Sequence, residues 1–422
     1  MNIHKKYNLG ILATHPVQYY VPWYRALARY PEINLEVFYC HRQTPEGQAR
    51  AGFSVPFDWD IPLLDGYKYR FLNNKAANPN VSTFFGCDTP EIMRIISDSS
   101  FDAFIVQGWY VKSLWQAIRA CWDSRTPVLV RGDSQLLTQR SWINRLLKYS
   151  FFRWFIPRFD AYLVVGKRAE EYYLHYGADK NKMFFVPHCV DNDFFSSNQA
   201  LLESQRENLR SDWGIPRDSF TFLFAGKLIP RKRLYDFLKA LAIAHKHFPQ
   251  TFGLVVGDGP LRSNLESFCR NANLPVAFIG FINQKEMPGV YTASDVLVLP
   301  SDGRETWGLV VNEALACGLP AIVSDKVGCA ADLIIPGQTG EVFPCRDIEK
   351  LAEIFEAFVL KRRHLKEMGS KGRKIVIENY SVINAVEGTL GAIRAVANKK
   401  IKANYNTQSK SSPKKEVVEC AN

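Results

Sequence analysis

The sequence predicts an α/β protein made of two doubly wound, Rossmann-like domains that face each other across a central cleft. Two observations predict it. Short apolar runs of strand length alternate with longer helical patterns through both halves of the 422 residues, which is how parallel sheets with right-handed crossovers read. Each cluster of polar residues suited to a ligand also falls just after one of those runs, at the carboxyl edge where such sheets bind. The length, with 47% hydrophobic residues, suffices for two or three cores.

The first domain is expected over 1–195. Tyr7 to His15 (YNLGILATH) is an apolar run ending in a loop, and a helical pattern follows to Tyr30. Leu35 to Cys40 is a second strand. Residues 42–90 are rich in Pro, Gly and aromatics and read as irregular connections. Phe101 to Gly108 is a strand, a helix runs through Trp122, and Pro127 to Asp133 is another strand. Asp160 to Lys167 and Lys182 to His188 complete the set. Residues 196–215 are polar and read as a linker with a short helix.

The second domain is expected over 216–380. Strand FTFLFAGK leads to a helix from Leu234 to Phe248; FGLVVGDG leads to a helix through Asn273; VAFIGF and DVLVLPS (Asp295 to Ser301) follow. A helix begins near Gly308 and carries Asn312 to Ala316. Gly318-Leu319-Pro320 stops it, and AIVSD begins a strand. Glu349 to Tyr380 is helical and charged, and Ser381 to Asn398 is a last amphipathic helix. Residues 399–422 are dominated by Lys, Ser, Asn and Pro, a composition that predicts disorder.

The chemistry concentrates in the second half. Glu305 and Glu313 stand eight residues apart. If both were helical they would lie roughly 80° apart. If Glu305 precedes the helix, both can face one ligand near the N–H groups of the helix start. Gly226 ends a strand, and Lys227, Arg231 and Lys232 follow. Glycine there lets the backbone approach a phosphate, and the cations neutralise it. A solvated basic turn is the plainer reading for Arg231 and Arg233. Gly257-Asp258-Gly259-Pro260 also follows a strand, where D-G is in addition a general turn signal.

Five ordered segments resemble those of the family-4 retaining glycosyltransferases: PHCVDNDFF (Pro187 to Phe195), FAGKLIPRKR (Phe224 to Arg233), VVGDGP (Val255 to Pro260), the Glu305–Glu313 pair and GQTGEVF (Gly337 to Phe343). The resemblance implies the GT-B fold, with the last helix crossing back onto the first domain. It implies a nucleotide-diphosphate sugar on the second domain and an acceptor hydroxyl, on a growing polysaccharide or lipid-linked glycan, entering from the first. By resemblance Glu305, Lys232 and Lys227 carry the chemistry. Gly226, Arg231, Gly257, Asp258, Thr306, Trp307, Gly308, Leu309 and Glu313 contact the donor, with Glu313 on the ribose. Trp307 stands where the family has Phe, and either stacks on a sugar or packs in the core.

The first domain resembles the family less. Its first loop, Thr14 to Tyr20, has no glycine, and the His that often follows the strand Pro127 to Asp133 is absent. Asp133 stands there instead, placed to bond the donor sugar or the acceptor hydroxyl, or to form a turn. His15, Gln18, Gln107, Trp109, Tyr110 and Arg131 follow strands and are the acceptor-side candidates. The alternatives are a catalytically inactive GT-B-like subunit that binds a sugar nucleotide and scaffolds a partner, and a nucleotide-sugar epimerase. No cofactor and no metal are expected. The pairs Asp58/Asp60 and Asp191/Asp193 read as chance, Asp191 as a turn cap, and lysines with helix-start amides serve the diphosphate.

Net charge is +11, of which residues 1–195 carry +5 and residues 399–422 carry +4. That excess suits an anionic membrane surface or a lipid phosphate. The stretch Arg140 to Phe159 has five basic residues, no acidic ones and many aromatics. It is either a basic amphipathic helix lying on a membrane or a buried helix. No nucleic-acid module is recognisable. Nine cysteines form no C-x-x-C pair and read as reduced thiols. The apolar run after Lys5-Lys6 is too short for a signal peptide, so the expected location is cytoplasmic, peripheral on the membrane at most.

Overall fold

The computed structural model describes residues 6–137 and 142–410. Those residues form two lobes, each a parallel sheet with helices on both faces. The first sheet contains β1 (Tyr7–Ala13), β2 (Ile33–Tyr39), β3 (Lys68–Phe71), β4 (Ala103–Gln107), β5 (Val128–Gly132), β6 (Ala161–Val164) and β7 (Met183–Phe185), in the order β3-β2-β1-β4-β5-β6-β7. The second contains β8 (Phe220–Ala225), β9 (Thr251–Val256), β10 (Val276–Gly280), β11 (Val296–Leu299), β12 (Ala321–Ser324) and β13 (Gly340–Phe343), in the order β10-β9-β8-β11-β12-β13.

Strands covered on both faces have to be apolar at nearly every position. β8 reads FTFLFA and β4 reads AFIVQ, and both are buried throughout. The strand order reverses beside the first strand of each sheet, between β1 and β4 and between β8 and β11. A crevice opens at the carboxyl end of such a reversal. The two crevices face each other.

The structure departs from the sequence reading in four places. Residues 42–90 are not wholly irregular, because Lys68–Phe71 pairs with β2 as an edge strand. Residues 196–215 are no free linker. Helices Asn192–Leu202 and Arg206–Asp212 pack on helix Met287–Ala293 of the second lobe. Arg210, 2% exposed, donates to the carbonyls of Ala293 at 2.9 Å and Ser219 at 2.8 Å. The expected helix over 349–380 is two helices, Ile348–Leu360 and Leu365–Asn379. The final helix runs from Val382 to Lys410, so residues 399–410, read as disordered, continue it; 411–422 lie outside the described residues.

That final helix lies on the first lobe, although its chain leaves the second. Val386, Leu390 and Ile393 recur at helical spacing and enter the core of Trp23, Tyr24 and Leu27. Trp23 Nε1 donates to Thr389 Oγ1 at 3.2 Å, and Arg394 pairs with Glu32 at 2.8 Å.

Candidate functional site

A cavity of about 330 Å³ lies between the facing sheet edges. The loop after β8 contributes Gly226, Lys227, Arg231 and Lys232. Gly257 follows β9, and the segment after β11 supplies Glu305, Thr306, Trp307, Gly308, Leu309 and Glu313. The first lobe contributes Gln18, Tyr19, Tyr20, Asp133 and His188. Gly257 has φ +120°, and a Cβ there would stand 2.1 Å from the carbonyl oxygen of Gly226. Only glycine permits the two loops to touch.

At one end the cavity is cationic. Lys232 Nζ lies 2.6 Å from Glu305 Oε2, with both side chains mostly buried. The approach is off the hydrogen-bond directions, so Oε2 keeps no aligned donor. Lys227 Nζ donates to the carbonyl of Ala51 at 2.7 Å and sits 4.2 Å over the Phe53 ring. Burial, with Arg231 and Lys232 nearby, holds its pKa down to about 8. Three cations thus face one carboxylate, and the surplus of two positive charges matches a diphosphate.

At the other end Glu313 is 3% exposed. Helix Leu309–Ala316 carries it inward, and Gly308 starts that helix at φ +100°. Tyr291 donates its hydroxyl to Oε2 at 2.5 Å. Burial raises the Glu313 pKa to about 7 against the Tyr291 bond and the nearby polar side chains of Tyr19 and Gln284, which act to lower it. Oε1 is left without an aligned donor. A buried acceptor with that vacancy is suited to a hydroxyl.

Between these ends stands Asp133. Its Oδ2 accepts from Thr306 Oγ1 at 2.6 Å and lies 3.8 Å from His188 Nε2. The carboxylate is deep in the molecule, yet 43% of its side chain faces the cavity. Burial acts to raise its pKa, but His188, Thr306 and its own backbone N–H outweigh that and hold it at about 2. Burial and the Arg131 charge push the His188 pKa down. The ring is therefore neutral near pH 7, and it is a neutral N–H rather than a positive charge that faces Asp133. Arg131 donates to His188 Nδ1 at 3.3 Å, which places the ring proton on Nε2.

Of the residues singled out from the sequence, Lys227, Lys232, Glu305 and Asp133 line the cavity, as do Gly226, Arg231, Gly257, Thr306, Trp307, Gly308, Leu309, Glu313 and Gln18. The others do not. Asp258 turns to Arg262 at 2.6 Å and caps Gly259 N. Gln107 is buried against Tyr24 at 3.3 Å. Trp109 packs among Phe152, Phe155 and Tyr173. Tyr110 and His15 bond Thr14, each at 3.0 Å, outside the cavity. Arg131, 4% exposed, orients His188 from behind. Trp307, although it lines the cavity, is 4% exposed and donates to Asn312 at 2.9 Å, so its ring belongs to the core.

Asp60 accepts from Lys285 N at 3.1 Å, and Asp191 caps helix Asn192–Leu202, so both D-x-D pairs have structural partners. Helix Trp142–Phe155 is divided: Phe152 and Phe155 are buried while Tyr149, Phe151 and Trp154 are exposed. Residues 140 and 141 lie outside the described residues.

Tyr19, Tyr20, His188, Phe53, Trp59, Phe281 and Gln284 also line the cavity and were not singled out from the sequence. Phe53, Phe57, Trp59 and Phe281 form one aromatic group, with Phe57 stacked on Phe281 at 4.0 Å. The dense run of aromatics over 53–59 was the available signal.

The chain is similar to known glycosyltransferases over part of its length and to solved structures in fold. The family model for glycosyl transferases group 1 matches residues 205–375. A GDP-mannose-dependent alpha-(1-6)-phosphatidylinositol monomannoside mannosyltransferase of Mycolicibacterium smegmatis is 27% identical over 203 residues, 46% of this chain and 52% of that protein. A D-inositol 3-phosphate glycosyltransferase of Paenarthrobacter aurescens is 34% identical over 178 residues, 41% of this chain and 42% of that protein. The chain thus spans about half the length of these relatives. Among solved structures, Anabaena HepE in complex with UDP and glucose superposes with a TM-score of 0.67 at 15% identity, covering 92% of this chain and 99% of that one. The fold is therefore GT-B, and residues 205–375, which build the cationic loop and the Glu305–Glu313 segment, are similar to the glycosyl transferases group 1.

Proposed function

We propose that this chain is a retaining glycosyltransferase that moves a hexose from a nucleotide-diphosphate sugar to an acceptor hydroxyl. The observation that carries the reading is the single cavity joining Lys227, Arg231 and Lys232 to Glu305 and Glu313. The diphosphate meets the three cations, the ribose hydroxyls meet Glu313, and the sugar lies beneath Glu305 and Asp133. The bond from the anomeric carbon to the phosphate oxygen breaks. The acceptor oxygen forms its bond on the same face, and its proton passes to the departing phosphate oxygen. Charge on that oxygen is stabilised by fixed cations and helix-start amides, so no metal is required.

The similar proteins act on GDP-mannose or bind UDP, and both donor classes fit this reading. The acceptor we propose is a polysaccharide or lipid-linked glycan under assembly. The exposed Tyr149, Phe151 and Trp154, on a helix without acidic residues, suit peripheral binding to an anionic membrane on its cytoplasmic side. Among the described residues no helix is long and apolar enough to cross a membrane. The inactive-subunit alternative draws no support from the cavity, where the donor-side cations and acids are assembled.

Incubation with UDP- and GDP-hexoses, with and without acceptor, tests the activity through nucleotide release. Lys232→Ala should lower turnover by about 10²–10³. Near-normal turnover in that variant would remove Lys232 from the reaction.

A further inference from the structure

We propose that Gln135 is a positioning residue that ties the first lobe to the Glu305 loop, so that Glu305 and Thr306 reach working geometry only with the lobes docked. The inference rests on the glycosyl-transfer reading and adds to it a residue outside the cavity. Gln135 is 5% exposed. From the loop after β5, its Nε2 donates to the carbonyl of Gly303 at 3.0 Å and of Glu305 at 3.2 Å, and approaches that of Lys326 at 3.4 Å. All three carbonyls belong to the second lobe.

The amide is itself held. Arg168, also of the first lobe, donates from Nη1 to Gln135 Oε1 at 3.1 Å and from Nη2 to the carbonyl of Asp325 at 2.7 Å. With Oε1 facing an arginine, the NH₂ group is the end directed at the loop. The fit is close: a Cβ on Gly303 would stand 2.9 Å from the carbonyl oxygen of Leu137. Within the second lobe the Glu305 carbonyl also accepts from Gly328 N at 3.0 Å. Gln135 therefore completes an acceptor that the second lobe alone leaves half used.

The neighbouring contact from Asp133 to Thr306, at 2.6 Å, holds the next residue of the same loop. Two first-lobe side chains thus grip consecutive residues, one by backbone and one by side chain. Separation of the lobes breaks both grips. Glu305 then loses its support from the first lobe, and Lys227 loses its bond to Ala51, while Lys232 and Glu313 remain on the second, Glu313 still bonded to Tyr291. Nucleotide binding and placement of Glu305 are separable for this reason.

The test compares wild type with Gln135→Leu, which removes the donors at similar size, and Gln135→Glu. Gln135→Asn is carried in parallel should the leucine variant fail to fold. Turnover should fall at least about tenfold in Gln135→Leu, because buried carbonyls and Arg168 lose their partner. Affinity for UDP or GDP should stay within about twofold. Hydrogen exchange of amides over 302–306 with nucleotide bound should quicken. Gln135→Glu should match the leucine variant at pH 8 and recover relative to wild type toward pH 5, where a protonated carboxyl again donates.

Wild-type turnover in Gln135→Leu, or unchanged exchange at 302–306, overturns the proposal. An equal loss of nucleotide affinity does so too, as does a flat pH ratio for Gln135→Glu. If wild type releases nucleotide from no sugar nucleotide, the glycosyl-transfer reading fails, and the exchange measurement still decides whether Gln135 holds the loop.

Discussion

Replacing Glu313 by glutamine should stabilise the fold and weaken the ligand, each in a stated pH range. The carboxyl is buried, and its pKa rises from the ordinary 4.5 to about 7. An acid raised in the folded state favours folding while it is neutral. That contribution is full below the ordinary value and is lost as pH rises through about 7. Between pH 5 and pH 8 the wild type should lose roughly 2–3 kcal/mol from this group, at about 1.4 kcal/mol per pH unit. Glutamine cannot ionise and keeps the shape, so the variant escapes the loss.

The measurement is urea unfolding of both proteins at the two pH values, without ligand. The difference between them should grow in favour of Glu313→Gln by that amount at pH 8. Subtracting one protein from the other cancels every other titrating group. Nucleotide affinity should move the opposite way: the wild type gains as pH rises through about 7 and Oε1 becomes an anionic acceptor, while the variant stays weak. A stability difference independent of pH would refute the reasoning, since Glu313 would then be ionised at no cost.

Asp133→Asn should reduce turnover by about tenfold to a hundredfold, the loss expected for a charged hydrogen-bond acceptor, while affinity for the free nucleotide diphosphate holds; an equal fall in both would move Asp133 away from the sugar. Gly257→Ala should weaken nucleotide binding and lower the melting temperature, because a left-handed residue gains a Cβ and strain of about 1–3 kcal/mol; unchanged binding would mean that the loop yields freely. Phe151→Ala with Trp154→Ala should reduce pelleting with anionic vesicles and leave turnover on a soluble acceptor unchanged; unaltered pelleting sets aside the membrane face.

The donor side was legible because its residues are close in sequence and its glycines mark where backbones meet. Lys232 and Glu305 lie on two neighbouring strand ends, so motif and geometry coincide. The acceptor side was less legible because a strand end does not say which way a side chain turns. Gln107 and Trp109 follow β4 as a ligand residue would, yet one is spent on Tyr24 and the other on an aromatic core. Arg131 faces His188, 57 residues further on, a distance that no local pattern encodes. The edge strand Lys68–Phe71 was missed because its four residues carry two charges and no apolar run. The helix reaching Lys410 was missed because composition was weighed above its continuity with the preceding amphipathic turn.

The crossing helix ties the birth of the molecule to its last residues. Phe185 closes the first sheet, but Val396 emerges from the ribosome about 210 residues later. At about 5–20 residues per second, that is a wait of roughly ten to forty seconds. Throughout it, the wall of Trp23 and Leu27 stands open to the crowded cell. A stop codon near Tyr380 would leave that wall without the helix that covers it, however intact the donor half.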